Sequence, residues 1–194
     1  MRLYGPAPSS LLNGTVRPQP DPRLVASLAA DLRAADYTSD ALRAAWSVEG
    51  DEALVRGLVA PALRALGTRR DPLAVLARLL GLGSDQTVAD VDAALARTGA
   101  AGLQALGLAE VDGDLVHARA LVRPQSFSDE RGDGEWWVAS DLDEAALGHA
   151  LPEDHVLGVG GASQTLLRLQ LPDAAGRALD LGTGCGIQAL RLLR

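Results

Sequence analysis

The residues best suited to chemistry lie near the end of the sequence, where an acid precedes evenly spaced glycines. Asp180 closes an apolar run, and Gly182, Gly184 and Gly186 then occupy every second position before an amphipathic segment begins. Glycine has no side chain, so its backbone can turn sharply and approach a ligand closely. The first N–H groups of a following helix have no partner within that helix. A carboxylate beside such a loop can hold a cationic amine, so the spacing predicts a small-molecule site between a strand and a helix.

The glycine spacing separates this loop from the dinucleotide fingerprint, in which the third glycine comes three residues after the second. Ile187 stands at that position here. The run Leu179–Leu190 instead resembles motif I of the class I S-adenosylmethionine (SAM) dependent methyltransferases. A tight strand-to-helix turn without a ligand is the alternative. The resemblance implies that the methionine end of SAM, which carries an amine, is bound by Asp180, Gly182, Thr183, Gly184 and Gly186.

The arrangement is similar to the "small" methyltransferase domain group of N-methyltransferases, which includes release-factor glutamine methyltransferases and enzymes that act on RNA bases. Those enzymes carry an extra N-terminal domain, followed by a cofactor-touching segment that corresponds here to residues 158–165. The segment often has a proline-rich lead and a threonine in that group. Glycines replace the prolines in this chain, so only Thr165 carries over as a cofactor-binding residue. The implied methyl acceptor is a nitrogen of a protein amide or of an RNA base.

The resemblance assigns no catalytic residue. In that group an Asn-Pro-Pro-Tyr-like loop holds the acceptor nitrogen and a further acid takes the ribose hydroxyls of SAM, and in the family's order both come after Arg194. We therefore expect an N-terminal fragment of a methyltransferase that is catalytically inactive by itself. The alternative, from another functional class, is a non-catalytic interaction module or a nucleic-acid-binding winged-helix module.

Charge and composition narrow the choice of partners. The chain carries a net charge of −7 and all 18 of its basic residues are arginine, which argues against a nucleic-acid surface spread over the whole molecule. We do not expect DNA as a partner. Cys185 is the only cysteine and is interpreted as a small filler in the glycine loop. His117, His149 and His155 lack ligand spacing, so no metal site is expected.

The sequence offers no targeting signal that we recognise. Met1–Val16 lacks the basic start and apolar stretch of a signal peptide, and no apolar run approaches membrane-spanning length. We expect a cytoplasmic protein with no membrane partner. The helix after motif I, residues 186–194, has little to pack on, so we expect it to fray, to dock on the N-terminal domain, or to pair in a homodimer.

The elements ahead of the motif begin with helices. Asp21-Pro22, Ser39, Asp51, Asp71-Pro72 and Thr87 mark helix starts. The helix from Ser39 is expected to end near Trp46, the next to bury Val55 and Leu58, and the last to reach Arg97. Asp112-Gly113-Asp114 predicts a hairpin turn between runs at Leu108–Val111 and Leu115–Val122. Helices followed by such a ribbon are typical of a winged-helix domain, which we place at residues 1–123.

The second half predicts the opening of a Rossmann-like fold. A polar stretch at 124–134 is interpreted as a linker, and residues 135–194 as the first, truncated part of a SAM-binding domain. Strands are expected at Glu135–Ser140, Val156–Val159 and Arg177–Leu181, with helices at Asp141–Gly148 and Ser163–Leu171. The predicted fold class is α/β overall, with a mainly helical first domain. Because neighbouring strand residues face opposite sides, only one ring of the Trp136-Trp137 pair can stack on a base.

Overall fold

A computed structural model describes residues 21–170 and 176–194 of the chain. Met1–Val16, on which the absence of a signal peptide was argued, lies outside these ranges. The described residues combine helices with two antiparallel sheets, so the broad α/β class is confirmed. No helix within the described ranges is long and apolar enough to cross a bilayer.

Six helices precede the first hairpin. They are α1 (Pro22–Ala34), α2 (Ser39–Val55), α3 (Ala60–Leu66), α4 (Pro72–Leu76, continued by a π-helical turn, Ala77–Gly81), α5 (Val88–Ala94) and α6 (Gly99–Ala105). Three of the predicted starts carry the expected side-chain caps. Asp21 accepts from Arg23 N, Asp71 from Ala74 N and Thr87 from Asp90 N, which satisfies N–H groups that the helix itself leaves open.

The helix end predicted near Trp46 is confirmed, because Ser47, with a φ of 66° and a ψ of 165°, divides α2 into two helices. Other helical details differ from the prediction. Val55 and Leu58 are 87% and 54% exposed, because the chain turns between α2 and α3 and leaves both outside the core. The helix expected over Thr87–Arg97 is α5, which ends earlier, at Ala94, and α6 follows it as a separate helix. Sequence reasoning missed α6, whose Gly-Ala composition gives a weak amphipathic signal.

A small three-stranded sheet closes the helical body. Its strands are β1 (Gln86–Thr87), β2 (Ala109–Asp112) and β3 (Leu115–Ala118), in the antiparallel order β1–β3–β2. The hairpin predicted at Asp112-Gly113 is confirmed, since Asp112 pairs with Leu115 across the turn. β3 ends at Ala118 rather than at Val122, because the chain bends there and starts a separate sheet.

That second sheet occupies the segment expected to be a linker. β4 (Leu121–Asp129) and β5 (Gly132–Ser140) form one long antiparallel hairpin, so the linker assigned to 124–134 is wrong. The strand expected at Glu135–Ser140 is confirmed as part of β5. The error has a physical cause: this ribbon takes its cross-strand pairing from the backbone and only a few aromatic and branched side chains, so its composition reads as polar.

The hairpin packs against the helical body through one of its two faces. Tyr37, at 0% exposure, donates its hydroxyl to the carbonyl of Val122 at 2.9 Å. Trp137 donates Nε1–H to the carbonyl of Tyr37 at 2.8 Å, and Glu135 accepts from the backbone N–H of Ser39 at 2.8 Å. These contacts join residues about a hundred positions apart and make the hairpin a continuation of the N-terminal core.

Tyr37 makes the stability of the protein depend on pH. Burial raises its pKa well above the ordinary value, and the positive charge of Arg123 offsets only part of that effect. In the unfolded chain a tyrosine loses its proton near pH 10. Below that pH both states keep the proton, so the contribution to stability is constant. Above it the unfolded state binds fewer protons, and the free energy of unfolding falls as pH rises.

We therefore expect the free energy of unfolding to drop above pH 10 by up to about 1.4 kcal/mol per pH unit from this group. Urea unfolding at pH 8, 9, 10 and 11 measures the slope. Tyr37→Phe is expected to lower stability by about 1 kcal/mol at pH 8, through loss of the bond to Val122, and to remove the Tyr37 part of the alkaline slope. Equal slopes for the two proteins between pH 10 and 11 contradict this assignment.

The remaining elements are helices joined by irregular chain. α7 (Glu144–Leu147), α8 (Gly161–Leu169) and α9 (Ile187–Leu192) follow the hairpin. The strands expected at Val156–Val159 and Arg177–Leu181 are wrong, since neither run pairs with a strand in the described parts of the chain. Leu179 and Leu181 are 87% and 90% exposed. A parallel strand is stabilised only by hydrogen bonds to its neighbours, and none flanks this run.

The last helix docks, but on α8 and the β4–β5 hairpin rather than on the expected N-terminal domain, residues 1–123. α9 packs on α8, and Ile187 is buried at 3% exposure. Arg191 and Arg194 reach the tip of the β4–β5 hairpin and pair with Asp129. The hairpin therefore lies between two partners, with the helical body on one face and the segment that follows the glycine loop on the other.

Candidate functional site

The glycine loop adopts the conformation that its composition predicts. Gly182, Gly184 and Gly186 have φ values of 73°, 53° and 82°, a region that residues with a side chain rarely occupy. Space is not the reason for glycine here, because a Cβ at Gly182 or Gly186 would meet no atom within 4 Å. The backbone path itself requires all three glycines.

Hydrogen bonds within the loop hold it in one turn. Thr183 donates Oγ1–H to the carbonyl of Asp180 at 2.8 Å, and the N–H of Gly186 donates to the carbonyl of Thr183 at 2.9 Å. The N–H of Leu190 then donates to the carbonyl of Gly186, which starts α9. The structure thus brings Asp180, Thr183 and the three glycines together as the sequence predicts, although the run Arg177–Leu181 forms no strand ahead of them.

Asp180 is the side chain of this loop best suited to bind a charged ligand group. Its side chain is half-buried, and its Oδ2 atom is shielded from solvent without a hydrogen-bond partner among the described residues. A shielded carboxylate oxygen without a partner costs free energy, about 1–3 kcal/mol for a typical polar group. A cationic amine that reached Oδ2 would remove that cost.

Thr165 lies on the neighbouring helix and makes no hydrogen bond to the loop. It is exposed on α8, and its hydroxyl donates to the carbonyl of Gly161 at 2.9 Å. α8 and α9 are joined instead through Gln188, which donates to the carbonyl of Ser163 at 2.8 Å and accepts from Gln170 at 2.6 Å. Sequence reasoning missed Gln188, because nothing in a short amphipathic run marks one polar residue as a bridge between helices.

The two adjacent tryptophans point to opposite faces of the hairpin. Trp137 faces the helical body, whereas Trp136 pairs with Phe127 on the other face, with ring centroids 3.9 Å apart. Phe127 lies across Gly134, where a Cβ would overlap the ring. The alternation expected for a strand therefore leaves one aromatic pair available toward α8 and α9.

A cavity of about 1070 Å³ opens between this aromatic face and the helices α8 and α9. Phe127, Trp136 and several arginines line it. At its rim Asp129 pairs with Arg191 and Arg194, and Arg194 also lies 4.0 Å from the centroid of the Phe127 ring. Burial alone would raise the pKa of Asp129, but the hydrogen bond from Arg194 and the two positive charges hold that pKa below its ordinary value.

The other residues considered for chemistry remain apart. Cys185 is a free, partly exposed thiol inside the glycine loop. Within residues 21–170 and 176–194, no group of three or more His, Cys, Asp or Glu side chains is arranged to hold a metal ion.

Comparison with known proteins reaches only the helical body. A family model described as "Domain of unknown function (DUF7059)" matches residues 34–120, which run from the end of α1 to just before the β4–β5 hairpin. No curated protein matches the chain. No solved structure matches it either. The matched region is thus the small sheet with most of the helices before it. It ends before the glycine loop and includes only two of the cavity-lining residues, Ser39 and Arg43.

Proposed function

We propose that this chain is part of a SAM-dependent N-methyltransferase, in which the loop from Asp180 to Gly186 holds the amino-acid end of SAM. One observation carries the proposal: Asp180 Oδ2 is shielded and unpartnered beside three glycines in left-handed backbone conformations. These residues fit that end of the cofactor, since an ammonium group can donate to Oδ2 while the open backbone leaves room for close approach.

The cofactor would supply an activated methyl group on a sulfonium, and this chain's own residues would position it. Asp180 would hold the ammonium group, and the turn closed by Thr183 would fix the distance between that carboxylate and α9. Thr165, whose hydroxyl donates within its own helix, supports at most a contact through its remaining lone pairs. We propose a nitrogen of a protein amide or an RNA base as the acceptor.

A winged-helix fold is our proposal for the region from α4 to β3. The order helix, short strand, helix, helix and antiparallel hairpin over α4, β1, α5, α6, β2 and β3 supports it. In that arrangement α6, rather than the Thr87–Arg97 run, takes the place of the third helix.

A nucleic-acid-binding module is the second candidate function, and the surface of this region does not favour it. The exposed residues of α6 are Ala101, Gln104 and Ala105, and the hairpin tip carries Asp112 and Asp114. Phosphate contact requires arginine, lysine or other hydrogen-bond donors. We therefore propose a scaffolding role for this region and no DNA partner.

Calorimetric titration of SAM tests the cofactor proposal. We expect binding to the wild-type chain and at least tenfold weaker binding to Asp180→Asn, which keeps the size of the side chain but removes its charge. Asp154→Asn is the matched control, because it removes an exposed acid outside the loop. A wild-type chain that binds no SAM, or an Asp180→Asn variant that binds it equally well, would falsify the proposal.

A further inference from the structure

The cavity between the hairpin and α8/α9 concentrates positive charge in an acidic part of the chain. Residues 126–194 hold 5 arginines and 11 Asp plus Glu, a net charge of −6. Yet 4 of those 5 arginines line the cavity, and only 2 of the 11 acids do. The four are Arg131, Arg168, Arg191 and Arg194. Such clustering against the overall charge indicates an anionic occupant.

Two of these arginines keep their charge unpaired within the described residues. Arg191 and Arg194 both pair with Asp129, whereas Arg131 and Arg168 form no salt bridge there. Arg168 is exposed in the last turn of α8, and Arg131 is exposed in the turn between β4 and β5. One lies on the hairpin and the other on α8, so both of these cavity-lining elements offer a positive charge to a phosphate.

The floor of the cavity provides aromatic surface. Trp136 is half-buried and packs against Phe127 with the ring planes tilted by 35°, and both rings line the cavity, so Trp136 presents an aromatic platform held by Phe127. Base stacking on such rings contributes about 1–3 kcal/mol per base in single-stranded nucleic-acid complexes. An acidic peptide would use the arginines but gain little from the platform.

Gln170 adds a requirement that a phosphate alone does not meet. Its Oε1 atom is shielded from solvent and finds no hydrogen-bond partner among the described residues, and Gln170 lines the cavity. A carbonyl oxygen needs a donor, which nucleobase edges supply through their amino and imino groups and phosphates do not. The arginines suit a phosphate, the aromatic ring suits a base, and the Gln170 amide oxygen suits a donor on the edge of that base. A nucleotide meets all three requirements.

We infer that this cavity binds single-stranded RNA, with a base against Trp136 and phosphates at Arg131 and Arg168. The inference rests on the proposed function and narrows it, since it makes the methyl acceptor an RNA base rather than a protein amide. The cavity lies against α9, the helix that follows the proposed cofactor loop, so a base held there would be close to that loop. A volume of about 1070 Å³ exceeds what one nucleotide needs and admits a short strand.

Fluorescence anisotropy with a labelled ten-nucleotide single-stranded RNA tests the inference. We expect binding that weakens as salt rises, because phosphate contacts release counterions. Arg168→Ala and Trp136→Ala should each weaken binding at least fivefold, and Arg168→Ala changes only an exposed side chain, so it keeps the test valid if Trp136→Ala unfolds. Arg56→Ala is the matched control, an exposed arginine that does not line the cavity, and should leave affinity unchanged.

Two results overturn the inference: RNA binding that is unaffected by Arg168→Ala, and displacement of the RNA by polyglutamate of equal charge as effectively as by unlabelled RNA. SAM titration of the same variants separates this inference from the proposed function. A wild-type chain that binds SAM but not RNA removes only the cavity assignment, whereas a wild-type chain that binds RNA but not SAM removes the cofactor proposal and leaves the cavity as an RNA site.

Discussion

Replacing Asp31 with alanine should lower the free energy of unfolding by about 3 kcal/mol, the largest effect expected from any polar residue of the helical body. Asp31 is 2% exposed on α1 and accepts from three backbone or side-chain groups at the start of α6. The N–H of Thr98 donates at 2.8 Å, its hydroxyl at 2.9 Å, and the N–H of Arg97 at 3.1 Å. Alanine would leave these donors shielded and unpaired.

The ion pair between the Arg97 guanidinium and Asp31 contributes less to stability than the hydrogen bonds from Thr98 and the Arg97 backbone do. It lies 3.2 Å from Asp31 Oδ1 but is 58% exposed, so solvent screens the pair. Asp31→Asn is the matched variant, since it keeps the shape and one acceptor oxygen, and we expect it to cost about half as much. Urea unfolding at pH 7 measures both. A loss below 1 kcal/mol for Asp31→Ala, with an unchanged denaturant slope, contradicts the role of Asp31 in holding the turn at Arg97 and Thr98 ahead of α6.

The sequence predicts the local parts of this fold well because their causes are local. Asp21, Asp71 and Thr87 cap helices within three residues of themselves, and Asp112-Gly113 turns a hairpin between adjacent strands. The Asp31 network joins residues 66 and 67 positions apart. No spacing rule connects such positions, so the network and the start of α6 become visible only in the folded chain.

Pairing between distant segments also explains the two largest errors. The sequence predicts a linker in place of the β4–β5 hairpin because the hairpin's stability depends on Tyr37 and Ser39, which lie far away in the sequence. It predicts a strand at Arg177–Leu181 because the composition suits one, but composition does not supply the neighbouring strands that pairing requires.

The candidate site also has one part that the sequence predicts, the glycine loop, and one part that it does not, the cavity. The loop from Asp180 to Gly186 depends on backbone conformation that glycine spacing reveals directly, and the structure shows the expected positive φ values. The cavity depends on residues from the hairpin, α8 and α9 that meet only after folding. Its arginines are scattered in sequence, so the net charge of −6 over residues 126–194 gives no sign of the positive cluster.

Trp137→Ala should destabilise the protein by about 2–4 kcal/mol, which is close to the range for removing a large aromatic side chain from a core. The indole donates to the carbonyl of Tyr37, lies under the guanidinium of Arg33 at 5.3 Å, and covers the side of the hairpin that meets the helical body. Loss of the ring would leave a void and an unpaired carbonyl at the junction that joins residues 37 and 137.

The neighbouring tryptophan provides the control for this prediction. Trp136 lies on the opposite face, touches Phe127 and lines the cavity, so Trp136→Ala should cost about 1 kcal/mol, in line with a half-buried aromatic pair. Trp137→Phe should fall between, because it keeps most of the ring and loses only the N–H donor. Urea unfolding of the three variants gives the order. If Trp136→Ala proved as costly as Trp137→Ala, the hairpin would be anchored through its cavity face, and the helical body could not be the support on which the aromatic platform depends.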